Sequence, residues 1–218
     1  MPASSLPLGS DGLWTRALVQ PGQPSSSDLF ATLPLMQFHL HYSGPLRVSA
    51  KPVPKQEIRR ALHPQLKEVW QNTPTLARPS LLQDPAGDES LSVIRRVGDF
   101  RFAPLVCEEL KLVAELSILI LRPIQAGAVI DKGGDIDNRL KTLFDALRCP
   151  QLTRELPKQD SPGEGEDPLF CLLDDDSRIV DVRVIADRYL NAPTRDHVLL
   201  TMRVRTRPTE SIYGNVGL

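Results

Sequence analysis

The chain has 218 residues, of which 41% are hydrophobic and 24% charged, and its formal charge is −1, the composition of an ordinary soluble globular domain. No apolar run approaches the roughly 18 residues that a membrane-spanning helix needs, so no membrane span is expected. The N-terminus lacks the basic start and apolar core of a secretory signal. Cys107, Cys149 and Cys171 fall in no metal or disulfide spacing and sit beside apolar residues, which points to a cytoplasmic protein with reduced, packed thiols.

Residues 1–33 are rich in Pro, Gly and Ser without a sustained period and read as a loosely ordered arm. The segment Leu35 to Tyr42 alternates, with Phe38, Leu40 and Tyr42 on one face and His39 and His41 on the solvent face, which predicts the first strand. From Pro54 to Gln71, the stripe Ile58, Leu62, Leu66, Val69 and Trp70 predicts a helix that Pro64 should kink or split. The stretch from Gln71 to Glu89 has no assignable element. Strand-like segments follow at Leu91 to Val97, Phe100 to Val106 and Leu112 to Leu121.

Ile136, Leu140, Leu143, Phe144 and Leu147 recur at helical spacing, which predicts a helix over 136–147 with Asp135 as its N-cap. Asp137, Lys141, Asp145 and Arg148 share its opposite face. Residues 149–168 are rich in Pro, Gly and acids, including Asp160, Glu164, Glu166 and Asp167, and read as a solvated loop inserted in the domain. Two late strands are expected, Arg178 to Asp187 and His197 to Arg207. The last turns Leu200, Met202 and Val204 inward and Arg203, Arg205 and Arg207 outward. The sum is an α+β (mixed α/β) fold: one small domain over 34–207, with a mixed sheet, flanking helices and a tail at 208–218.

Chemistry concentrates in two places. In Gly133-Gly134-Asp135-Ile136-Asp137-Asn138-Arg139-Leu140-Lys141, two carboxylates bracket one apolar residue at a helix start, where both can approach one cation. Alone, this pattern is as readily a helix cap with a surface Asp137–Lys141 pair, worth about 0.2–0.5 kcal/mol. The second place, Asp174-Asp175-Asp176, packs three like charges at a strand entrance, which a bound cation would relieve. Together they favour a site for a hard divalent ion. Arg139 and the row Arg203, Arg205 and Arg207 are candidate DNA contacts, although a charge-protected edge strand explains the row equally. Arg59 with Arg60, and Arg95 with Arg96, are weaker candidates of the same kind.

The order Asp135-Ile136-Asp137-Asn138-Arg139-Leu140-Lys141, then Phe144-Asp145-Ala146-Leu147, then Asp175-Asp176-Ser177-Arg178-Ile179-Val180 resembles the RusA-type Holliday junction resolvases. The resemblance implies a homodimer that resolves four-way DNA junctions by paired, Mg²⁺-dependent nicks in DNA recombination and repair, with Mn²⁺ as a substitute. Carried over by position, Asp135, Asp137, Asp176 and Lys141 are the expected catalytic residues. Asp135, Asp137, Asp176 and its companion Asp175 are the expected metal ligands. Asn138 would orient a carboxylate or hydrogen-bond phosphate, or be a plain polar residue of the first turn, and Asp145 would hold the lysine in place or be a solvated helix partner. The long 149–168 loop and the N-terminal arm exceed the family's compact size and are candidate contacts for a protein partner. Two other readings remain: a nuclease of this fold acting on other branched or phage DNA, and a non-catalytic DNA-structure or protein-binding module on the same scaffold.

Overall fold

The computed structural model describes residues 36–48, 51–85, 91–123 and 136–215, all within the compact unit Leu33–Leu218. The expected N-terminal arm lies outside the described residues. Among the described residues, seven strands and two α-helices follow in the order β1 (Gln37–Pro45), α1 (Pro52–Asn72), β2 (Arg95–Val97), β3 (Phe100–Val106), β4 (Leu112–Arg122), α2 (Ile136–Leu147), β5 (Leu169–Leu173), β6 (Ile179–Arg188) and β7 (His197–Pro208). They form an α+β fold with a mixed four-stranded sheet, β1-β7-β4-β6, and a three-stranded sheet, β2-β3-β5. In the larger sheet β7 runs antiparallel to both β1 and β4, and β6 runs parallel to β4.

Alternation in the larger sheet separates core from solvent. Leu40, Leu116, Ile118, Leu200 and Met202 point inward and are buried, whereas His39, His41, Leu119, Arg203 and Arg207 face out. Both helices pack in the same core, α1 through Ile58, Leu62, Leu66 and Trp70 and α2 through Leu143 and Leu147. Each such aliphatic side chain contributes about 1.5–3 kcal/mol by leaving water. The three cysteines are free and buried. Among the described residues, no helix is long and apolar enough to cross a membrane.

The structure corrects four expectations. First, α1 runs unbroken from Pro52 through Pro64 to Asn72. Pro64 lies on the exposed side, where water can serve the carbonyl left without an N–H, while the buried stripe holds the helix together. Second, the segment from Leu91 is strand only from Arg95, because the Val93 N–H donates instead to the Leu81 carbonyl at 3.0 Å. Third, the two expected late strands are preceded by another, Leu169–Leu173, fully buried and paired in parallel with β3. Its unbroken Leu-Phe-Cys-Leu-Leu run has no alternation to show, as is usual when both faces are covered.

The fourth correction concerns residues 149–168. This segment is docked on α1 rather than standing off as a solvated flap. Arg60 donates to Glu166 at 2.9 Å and to Asp160 at 3.0 Å, and Arg101 donates to Asp167 at 2.8 Å. Leu156 is buried with Val97, Phe100, Phe102 and Leu169. Burial opposes ionisation of Glu166, but hydrogen bonds from Arg60 and the Gly163 N–H outweigh it and hold the carboxyl below its usual range. His63 closes the seam: its Nδ1 accepts the Phe170 N–H at 3.0 Å, which leaves Nε2 to donate to the Gly165 carbonyl at 3.1 Å.

Candidate active site

Helix α2 carries its chemistry on the side away from the core. Leu143 and Leu147 are buried and Leu140 and Phe144 pack beside them, so Asp137, Asn138 and Lys141 are left exposed. Asp137 lies in the first turn, where free backbone N–H groups and the helix dipole favour a carboxylate. Neither the Asp137 nor the Lys141 side chain takes up a hydrogen bond or ion pair among the described residues. The surface pair between them is therefore not formed. Asp135, Gly133 and Gly134 lie outside the described residues.

The three consecutive acids after β5 have different surroundings. Asp174 is buried, accepting the Glu108 N–H at 3.1 Å and Arg178 Nε at 3.3 Å. Asp175 caps the short 3-10 turn Asp176–Arg178, accepting the Ser177 N–H at 3.0 Å. Hydrogen bonding from the Ser177 side chain first and from its N–H second, with the charges of Arg148 and Arg178 adding to them, lowers its pKa. Asp176, the first residue of the turn, is exposed, and its carboxylate is unengaged among the described residues. Arg178 and backbone N–H groups thus compensate two of the three acids without a cation. The turn itself packs on α2 and β4.

Four sequence assignments change. Asp145 does not hold Lys141, nor is it a solvated helix partner: it is paired with Lys55 of α1 at 2.7 Å and with Arg148 at 3.7 Å. Arg139 is buried, donating to the Leu46 carbonyl and, at 3.4 Å, to Asp196, so it ties α2 to the ends of β1 and β7 rather than reaching for phosphate. Arg59 is buried too, and donates to the Asp145 and Arg148 carbonyls at the C-terminal end of α2. Burial lowers its pKa. Arg60, Arg95 and Arg96 are engaged by Glu166, Glu109 and Asp84.

The arginine row on β7 does face outward. Arg203 is exposed and donates to Ser117 Oγ at 3.2 Å, whereas Arg205 and Arg207 lie 3.4 and 3.9 Å from Glu115. Strand order adds two cationic or titratable neighbours that the sequence reading did not group with them, Arg183 from β6 and His39 from β1. With Arg203, Leu119 and Thr201 they line a shallow cavity of about 340 Å³. Only the alternation of β6 hinted at Arg183, because its neighbours come from three distant strands.

The donor chemistry fits a hard cation: Asp137, Asp175 and Asp176 offer carboxylate oxygens and no thiol or imidazole. Among the described residues, however, no three acids, histidines or cysteines are gathered closely enough to hold a metal ion, so Asp137, Asp175 and Asp176 do not form a closed ligand set by themselves. No protein-family model matches the chain, and no curated protein matches it.

Proposed function

We propose that the protein is a Mg²⁺-dependent endodeoxyribonuclease that nicks branched DNA, with the four-way junction as its substrate. One observation carries the reading. Around α2, charged groups are tied into the fold, with Asp145 on Lys55, Arg139 on Asp196 and Asp174 on Arg178. Asp137, Lys141 and Asp176 remain exposed and unengaged among the described residues, and these are the positions of the resolvase-like motif. Charges that stabilise nothing internally are available for a ligand.

Asp137 and Asp176, with Asp175 and Asp135, would hold the ion. When bound, a hard divalent cation supplies Lewis-acid polarisation of the phosphate and an acidified water. Asp137 presents its oxygens from the first turn of α2. Lys141, one turn further along the same face, places an ammonium beside the scissile phosphate and offsets the charge that develops on its non-bridging oxygens. Asn138 orients a carboxylate or donates to phosphate. The outward arginines Arg203 and Arg183 supply sequence-independent contacts to the DNA backbone.

The test is incubation with labelled four-way junction, linear duplex and single strand, in Mg²⁺, Mn²⁺ or EDTA. Paired nicks confined to the junction, abolished by EDTA and by Asp137→Asn, are expected. Cleavage of other forms moves the substrate elsewhere within the nuclease class. Junction binding without any cleavage in Mg²⁺ or Mn²⁺ overturns the enzyme reading in favour of a binding module.

A further inference from the structure

The free edge of β1 is closed at one residue and open beside it. The Gln65 amide of α1 accepts the His41 N–H at 2.9 Å and donates to the His41 carbonyl at 2.8 Å, the two bonds that a neighbouring strand would make. His41 therefore turns its backbone away from β7, and by the two-residue period of a strand so do His39 and Gln37. The Met36 carbonyl, out of step with them, accepts from the Thr206 N–H of β7 instead. Among the described residues nothing does for His39 or Gln37 what Gln65 does for His41, and their N–H and C=O groups are left unpaired.

These groups open onto a cavity of about 530 Å³ between β1 and the C-terminal half of α1. Its apolar lining is Met36, Phe38 and Val69, each only partly buried against the core. Among its lining residues Glu68 is the only Asp, Glu, Lys or Arg. The Glu68 carboxylate is exposed and has no ion pair or hydrogen bond among the described residues. The last turn of α1, which ends beside it, holds no basic residue, so the carbonyl end of the helix adds to the negative charge there. The groove thus offers unpaired strand backbone, an apolar floor and an unanswered negative end.

We infer that this groove takes an extended peptide segment of a partner protein, added as a strand beside β1 at Gln37 and His39, with an aliphatic side chain and a Lys or Arg two residues apart. Main-chain bonds supply the attachment, and alternate side chains supply the selectivity. The peptide residue opposite Phe38 faces α1, as Phe38 does, and sets its aliphatic side chain on Phe38 and Val69. Two residues away, the next side chain of that face runs towards the last turn of α1, where a cation meets Glu68 and the helix carbonyls. An acidic side chain there is repelled. Gln65 ends the site, because a strand cannot pass His41 without displacing it. Neither α2 nor the Asp174–Asp176 run takes part, so the inference stands apart from the nuclease reading.

Panning the full chain against displayed random heptapeptides, without metal or DNA, tests it. Enriched sequences should share an aliphatic residue and a Lys or Arg two positions apart, and a labelled synthetic peptide of that sequence should bind in fluorescence anisotropy. Exchanging its basic residue for Glu should weaken binding by about tenfold or more, and Glu68→Lys should reverse the preference. Glu68 is exposed, and a thermal melt confirms that the variant is folded. Methylating the backbone nitrogens of alternate peptide residues needs no variant at all. Only every second amide of a strand points at its neighbour, so one methylated set should abolish binding and the other leave it within about twofold. No enrichment, enrichment of peptides without the basic residue, or equal sensitivity to both methylated sets overturns the proposal. So does a peptide displaced by rising concentrations of the chain itself, which would give the edge to a second copy.

Discussion

The Lys55 ammonium on α1 donates to the Asp145 carboxylate on α2 at 2.7 Å, a bond that spans 90 residues of sequence. Both side chains are largely buried, at 26% and 20% exposure. Asp145 is therefore part of the helix–helix seam, and Lys141, one turn earlier, is left without it. Lys55→Met should lower stability by about 1–2 kcal/mol, since it removes a charge-assisted hydrogen bond and leaves Asp145 with Arg148 alone. Lys141→Met should change stability by less than about 0.5 kcal/mol yet abolish cleavage. Denaturant unfolding alongside the nicking assay checks the contrast; a stability loss in Lys141→Met matching that of Lys55→Met would place Lys141 in the fold.

The adjacent acids separate in the same way. Asp174→Ala strips the Glu108 N–H of its acceptor, leaves Arg178 with the Glu108 carboxylate alone, and should cost about 1–3 kcal/mol. Asp176→Ala removes no internal bond and should leave the melting temperature nearly unchanged while eliminating Mg²⁺-dependent activity. If Asp176→Ala retains full activity, its place in the site is lost.

For the arginines, burial predicts the outcome. Arg139→Ala should destabilise the protein by about 2 kcal/mol or more, because it leaves the buried Leu46 carbonyl without its donor. Arg203→Ala should leave stability within about 0.5 kcal/mol. Its effect should be weaker DNA binding at all sequences and a salt-dependence slope smaller by about 1. Binding titrations at several salt concentrations, set beside thermal melts, make the comparison; an unchanged slope in Arg203→Ala would remove it from the DNA surface.

Arg60 holds the 149–168 segment through Glu166, Asp160 and the Ser161 carbonyl. Arg60→Ala should release it, lowering stability by about 1–3 kcal/mol and exposing the segment to proteases. Limited proteolysis with mapping of the first cut decides this. A first cut outside the segment would mean that Leu156 and the apolar contacts around it suffice without the arginine.

His63 adds a pH dependence. Burial depresses its pKa, and the Gly165 carbonyl only partly offsets that effect. Because the folded value lies below the unfolded value of about 6.5, the unfolded chain binds more protons in between. Stability is then fully present above about pH 6.5 and falls as pH drops from there towards the folded value. Protonating Nδ1 also breaks the bond from the Phe170 N–H. Glu166 and Asp175, both with lowered pKa, act in the same direction but only in the more acid carboxylate range. Melting temperature against pH should therefore decline in two stages, and His63→Gln should flatten the upper one.

The sequence by itself determined the local elements. Period-3.6 spacing located α2 at Ile136–Leu147, β-rich composition between turn-like residues identified β3 to the residue, and alternation gave the inward and outward faces of β1 and β7. It also singled out Asp137, Lys141 and the Asp174–Asp176 run as unusual chemistry. These are properties of a few adjacent residues, so the chain displays them directly. Only the tertiary structure decided what each charge does. Asp174 and Asp176, two residues apart, differ because one meets Arg178 and Glu108 and the other meets water. Asp145 and Arg139 became structural through Lys55, Leu46 and Asp196, and the acidic segment was neutralised by Arg60 and Arg101. Apart from the local Asp174–Arg178 pair, these partners are brought together by the fold over separations of 57 to 106 residues, beyond any periodicity that a local pattern can carry.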